Sequence, residues 1–267
     1  MINQIFMGKS AMFAFQRKLQ VIANNISNSQ TVAFKKRRVE LESMFPQVLE
    51  SVLTESDETT GTGSSRRKKY ADYGTGVRVA DVSKNFEKGT LEVTNQPLDF
   101  AIEGTGLFQF RLADGTLAYS RAGNLHLDNE GNVVNQNGQP LEPAIRIPRN
   151  ATEIIVNEEG RVFVQVNNQT QPQEVGQLVL ANFQNIEGVR DVGQNMYLET
   201  AASGAPILET PGQNGVGTIK QRQLEFSNVN VIEEMMDMIV TQRSFELIVK
   251  SIQAGEAMLK ASSDLGK

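Results

Sequence analysis

Apolar residues recur at every seventh position near both ends of this chain. Near the start, Ile5, Met12, Leu19 and Ile26 form one series, and Gly8, Phe15 and Ile22 fill the position three further on. Near the end, Val231, Met238, Phe245, Ile252 and Leu259 keep the same spacing without a break. A heptad repeat holds one stripe toward a partner helix, so both ends are predicted to be amphipathic helices with coiled-coil seams. Met235, Ile239, Ile248 and Val249 widen the second stripe. Asn, Ser and Thr clustered around Asn28 end the first helix, and Asn230 with Glu233 reads as a capping box for the second. At 1.5 Å per residue each helix is about 40–50 Å long, and matched lengths and seams predict that the two pair. Ordering a two-helix seam costs about 1–2 kcal/mol per residue in backbone entropy. The surplus apolar surface therefore predicts packing against further copies.

Between the helices the composition changes. Residues 74–227 carry most of the glycine and proline, and short alternating runs there are bounded by turn signals. Phe108, Phe110 and Leu112 lead into Asp114-Gly115, a hairpin turn. Leu125 and Leu127 lead into Asn129-Glu130-Gly131, with Val133-Val134 returning; Ile154–Val156, an Asn157–Gly160 turn and Val162–Val166 repeat the design. Val175–Phe183 and Met196–Glu199 are further strand candidates. The fold class is thus α+β and multi-domain. Residues 1–35 and 228–267 form a paired coiled-coil domain, 74–227 an all-β domain, and 36–73 a long extended insertion. The insertion starts at the basic run Lys35–Arg38 and is low in apolar periodicity over Thr54–Ser65. It places Glu50, Glu55, Asp57 and Glu58 ahead of Arg66, Arg67, Lys68 and Lys69. Alone, such a stretch is expected to stay unfolded.

Little in the chain points to catalysis. There is no cysteine and only one histidine, His126. It alternates with Leu125 and Leu127 and reads as an ordinary strand residue with no ligand partners at metal spacing. Gly104-Thr105-Gly106 and Gly74-Thr75-Gly76 open no helix and lack the remaining residues of a phosphate loop. Asp128–Gly131 lacks the further ligands of a calcium loop. A net charge of −5 gives no reason to expect nucleic acid, and a small-molecule substrate, cofactor and metal are likewise not expected. No apolar run reaches membrane-span length, and the start lacks the uninterrupted apolar core of a secretory signal. Export, if it occurs, is expected to leave the N-terminus uncleaved. An adhesin-like β module on a coiled-coil stalk is the competing reading; it predicts a small closed oligomer with a ligand pocket.

Three motifs carry a family resemblance. Ala23-Asn24-Asn25-Ile26-Ser27-Asn28, followed by Thr31, Phe34 and Lys35, resembles the N-terminal signature of flagellar rod and hook proteins. Ser227–Val231 with Glu233-Glu234, Gln242-Arg243 and Phe245-Glu246 resembles their C-terminal signature. Gly89, Pro97-Leu98-Asp99, Gly104, Gly106, Tyr119 and Arg121 resemble the middle. Ala33 stands where the family usually has glycine, which puts the turn geometry there in question. Within the family, residues 36–73 before Gly74-Thr75-Gly76-Val77 resemble the insertion of the distal-rod members rather than proximal rod or hook subunits, the alternative. The resemblance implies a non-enzymatic subunit of the basal body, polymerised helically into a rod that crosses the periplasm and carries torque to the hook. Its implied partners are its own copies, proximal rod proteins, hook protein, the bushing rings and the flagellar export apparatus. The assembly residues expected are Ile5, Met12, Leu19, Asn24, Asn25, Ile26, Val231, Met238, Phe245, Ile252 and Leu259. The charged residues of the insertion are expected to stiffen the rod.

Overall fold

The computed structural model describes residues 2–44, 47–50, 70–73, 76–166 and 171–264. Helix α1 spans Ile2–Ser27 and helix α2 spans Val231–Asp264, with a β-rich stretch between them. The chain divides into two compact units: Met1–Ala23, Arg38–Ser83 and Met235–Lys267 form one, Asn24–Arg37 and Lys84–Glu234 the other.

In the first unit, the two helices come into direct contact. A Cβ added at Gly8 would lie 2.6 Å from Ile252 Cγ1, so α1 can approach α2 there only because position 8 has no side chain. Strand Arg37–Ser43 is hydrogen-bonded to Val77–Lys84. Arg78 reinforces that ladder through Glu42 at 2.9 Å. Gln47–Glu50 pairs antiparallel with Tyr70–Tyr73. The edges of 36–73, expected to be an extended insertion, are strands tied into ladders. Charged residues alternate with Val39 and Leu41 there, and Leu41 is exposed, which hid the pairing from an apolar-periodicity reading.

The second unit holds the larger core. A five-stranded antiparallel sheet runs in the order Leu141–Glu142, Phe108–Arg111, Leu117–Ser120, Met196–Leu198, Arg190–Gly193. Ala151–Val156, Arg161–Val166 and Gln173–Gln177 form a three-stranded sheet. Phe108, Phe110, Leu141, Ile102 and Leu180 are all buried in one apolar cluster. Tyr119, Tyr197 and Phe183 are buried in a second, with the Tyr119 and Phe183 rings edge to face at 4.9 Å.

The hairpin turns formed where the sequence marks them, and for one reason. Asp128 Oδ1 accepts from the backbone N–H of Glu130 and Asn132, each at 2.8 Å, and Gly131 takes φ +87°. Asn157 Oδ1 accepts from Arg161 N at 2.9 Å, with Gly160 at φ +78°. The side chain replaces a backbone acceptor and glycine supplies the left-handed step. Two expectations change. Val175–Phe183 is not one strand: Gln173–Gln177 and Leu180–Asn182 belong to different sheets. Leu127 is exposed beside His126, because that strand is only two residues long.

Candidate assembly site

The half-buried stripe of α2 is narrower than the apolar content of the helix. Met238, Phe245, Ile252 and Leu259 are each half-buried, and Ile248 sits with them. Glu234 and Thr241 occupy the intervening positions and are each 1% exposed. Residues 234, 238, 241, 245, 248, 252, 255 and 259 alternate steps of four and three, the pattern of a heptad seam. Val231 opens the helix exposed, and Met235 and Ile239, expected to widen the buried stripe, are also exposed. With Ile232, Met236, Val240, Leu247 and Met258 they leave α2 rich in uncovered apolar surface. The helix cap also differs from a capping box. Asn230 Oδ1 accepts from Ile232 N at 3.1 Å, and Glu233 points to solvent without returning the bond.

On α1 the buried face extends to one side of the apolar repeat. Gly8, Met12, Phe15, Leu19 and Ile26 are half-buried and Ile22 is buried, and Ala14 and Val21, which lie outside that repeat, are buried as well. Small Ala14 contributes nothing conspicuous to an apolar repeat, which is why the extension is invisible in sequence. Phe6 and Phe13 are exposed. Asn24 is exposed, and its carbonyl accepts from Asn28 N at 3.1 Å to close the helix. The side chains of Ile5 and Glu50 lie outside the described residues, as do Glu55, Asp57, Glu58, Arg66, Arg67, Lys68 and Lys69 altogether.

The signature residues converge on a buried junction within the second unit. Glu225 Oε1 accepts from Lys35 Nζ at 2.7 Å and from Gly89 N at 2.9 Å; Oε2 accepts from Arg121 Nε at 2.6 Å. Arg121 spends three further N–H groups on the carbonyls of Gly106, Ile102 and Gly104. Lys35 Nζ also donates to Glu87 O at 2.6 Å. The Lys35 and Glu225 side chains are each 1% exposed. Burial alone would raise the Glu225 carboxyl; the Arg121 and Lys35 charges outweigh it and hold the group below the ordinary carboxylate range. Gly89 is required for the approach, since a Cβ there would sit 1.8 Å from Phe226 O. Ala33 takes φ +57°, fully buried, with its N–H on Glu225 O at 2.8 Å. The turn therefore does need a left-handed residue, and alanine carries a strain of about 1–2 kcal/mol there.

A second cluster binds the chain segments that enter and leave this unit. Asn25 is 1% exposed; its Oδ1 accepts from Arg37 N at 3.0 Å. Its Nδ2 donates to Arg37 O and to Glu234 Oε2, both at 2.9 Å. Lys36 Nζ meets Glu234 Oε1 at 2.6 Å, and Asn228 Oδ1 accepts from Lys36 N at 2.8 Å. Arg37 and Lys84 share Asp191, and Lys84 lies 4.4 Å from the centre of the Tyr197 ring. Burial would raise Asp191, but its bonds from Lys84 and Gly193 N hold it low. Burial pushes the Tyr197 hydroxyl well above the usual phenol range. Arg37 Nε is buried without an acceptor among the described residues, so this pair is less completely satisfied than Arg121 with Glu225. These bonds tie together the segments 25–37, 84, 191, 228 and 234 of the chain. No three of His, Asp or Glu converge as a metal site among the described residues.

Glu225, Glu87 and Asp191 were missed by the sequence reading, and no short-range signal marks them. Lys35 and Glu225 are separated by 190 positions. Glu225 joins segments that known families match separately. Residues 7–35 match the flagella basal body rod protein model, 101–164 the D1 domain of flagellar hook protein FlgE/F/G, and 220–265 the C-terminal region of flagellar basal body rod FlgEFG proteins. Lys35, Arg121 and Glu225 come one from each. The chain belongs to the flagellar basal-body rod protein family. Flagellar basal-body rod protein FlgG of Buchnera aphidicola subsp. Schizaphis graminum is 40% identical over 265 residues, covering 99% of this chain and 100% of that protein. FlgG of Caulobacter vibrioides is 40% identical over 256 residues, 96% of each chain, and FlgG of Bacillus subtilis is 34% identical over 265 residues, 97% of each.

Proposed function

We propose that this chain is a non-enzymatic structural subunit that polymerises helically into the distal rod of the flagellar basal body and transmits motor torque to the hook. The observation that carries the reading is full-length similarity to proteins named FlgG, at 34–40% identity. A flagellar hook-basal body complex protein of Bacillus subtilis, FlhO, stands at 30%, so a proximal rod or hook subunit is the less favoured alternative. The exposed apolar side chains of α1 and α2 suit a helix pair that is covered by neighbouring copies on assembly. The Gly8–Ile252 approach supports pairing of the two helices as a coiled coil. Met12, Leu19, Ile26, Met238, Phe245, Ile252 and Leu259 then serve the helix seam, and Asn25 braces it from within the chain. The periplasmic location, export without a cleaved signal, and contacts with proximal rod, hook, bushing rings and export apparatus follow from that role. The test is electron microscopy of the purified protein at high concentration. Helical tubes are expected; a small closed oligomer at every concentration would overturn the reading.

A further inference from the structure

The chain contains two Asn-Gly steps, Asn137-Gly138 and Asn214-Gly215, and all four residues are exposed. Asn-Gly is the sequence in which a backbone nitrogen most easily reaches the preceding side-chain amide, because glycine places no Cβ in the way. The surroundings of the two differ. At the first, Gly138 N donates to Asn135 O at 3.0 Å, and Asn137 Nδ2 donates to Gln194 Oε1 at 2.8 Å. Both reacting groups are occupied. At the second, neither Gly215 N nor the Asn214 amide has a hydrogen-bond partner among the described residues. Asn214 is held at φ +49°, Gly215 at φ +82°, and a Cβ on Gly215 would meet nothing within 4 Å.

We infer that Asn214 is a site of spontaneous deamidation and that Asn137 is protected by its fold. Gly215 N attacks Asn214 Cγ and loses its proton; the Cγ–Nδ2 bond breaks and ammonia leaves. Water then opens the succinimide to aspartate or isoaspartate. The isoaspartate product adds a methylene to the backbone inside a loop pinned on both sides. Val216 N donates to Gln213 O at 2.9 Å across the modified step, and Thr105 Oγ1 donates to Gly215 O at 2.8 Å. Modification thus adds one negative charge and loosens the attachment of this loop to the Gly104–Gly106 turn.

The test uses the full-length protein, incubated in mildly alkaline buffer and followed by peptide mass spectrometry with isoaspartate-specific fragmentation. The two hydrogen bonds on its reacting groups should slow Asn137 by up to roughly thirtyfold relative to Asn214, less whatever the Val216–Gln213 and Thr105–Gly215 bonds cost the second site. In denaturant the two sites should convert at comparable rates. Gln194→Ala should accelerate Asn137 alone, and Asn214→Gln should abolish the change at its own site. Equal rates in the folded protein, or faster loss at Asn137, would overturn the inference.

Discussion

Glu225→Gln changes one atom and removes one charge, and the surroundings set the consequence. The carboxylate has donors on both oxygens: Lys35 and Gly89 on one, Arg121 on the other. A glutamine must turn its NH2 toward one side, so a donor faces a donor in either orientation. Two cations then share a buried site with no counter-charge. Removing one partner of a buried ion pair costs about 3–5 kcal/mol. For a unit of this size each kcal/mol shifts the midpoint by about 2–4 °C, so a fall of roughly 6–20 °C is expected by calorimetry. Lys88→Gln is the control. Its bridge to Glu103 is 3.2 Å, with both side chains more than 40% exposed to screening water, and its loss should leave the midpoint essentially unchanged. If Glu225→Gln behaves like Lys88→Gln, water reaches the junction and the buried-pair reasoning fails.

Acid should act through the same carboxylates. Glu225 and Asp191 are held below their ordinary range in the folded state, so their stabilisation is complete above the unfolded carboxylate pKa of about 4 and is lost as pH falls through the folded values. Urea midpoints measured across that range should fall with acid, and Glu225→Gln should flatten part of the slope. Phe245→Asp or Ile252→Asp puts a charge on the half-buried seam of α2 at a cost of several kcal/mol; tube formation should be lost while the thermal transition of the β-rich unit persists. Normal tubes from either variant would remove the seam from assembly. The proposed stiffening role of the insertion predicts that deleting residues 46–63 leaves polymerisation intact but yields curved rods in electron micrographs. Changing Arg66–Lys69 to glutamate should weaken the rod in a salt-sensitive way. Straight rods from the deletion would exclude that role.

What the sequence disclosed and what it hid divide by range. Turns such as Asp128–Gly131 were readable because side-chain acceptor and left-handed glycine lie three residues apart. The half-buried stripe of α2 was readable because four large residues, Met238, Phe245, Ile252 and Leu259, repeat every seven. Its polar members were not: Glu234 and Thr241 look like surface residues until the partners of Glu234 are seen, and Asn25 lies 209 positions away. The same distance hid the Lys35–Glu225–Arg121 junction. Its cationic members sit in recognisable motifs, yet the motifs say nothing of which carboxylate joins them.

The placement of Asn25, Arg37, Lys84 and Glu234 bears on mechanical failure. The division into units falls within two residues of each of these, so every covalent passage between the units starts close to a polar anchor in the second. Glu234 is bonded to both Asn25 and Lys36, and Asn25 holds both backbone groups of Arg37. A pull entering along α1 and a pull entering along α2 therefore reach bonds that share atoms. A load on one is passed to the others through the shared atoms, so the rupture force should depend on the number of intact anchors as well as on the strength of any one.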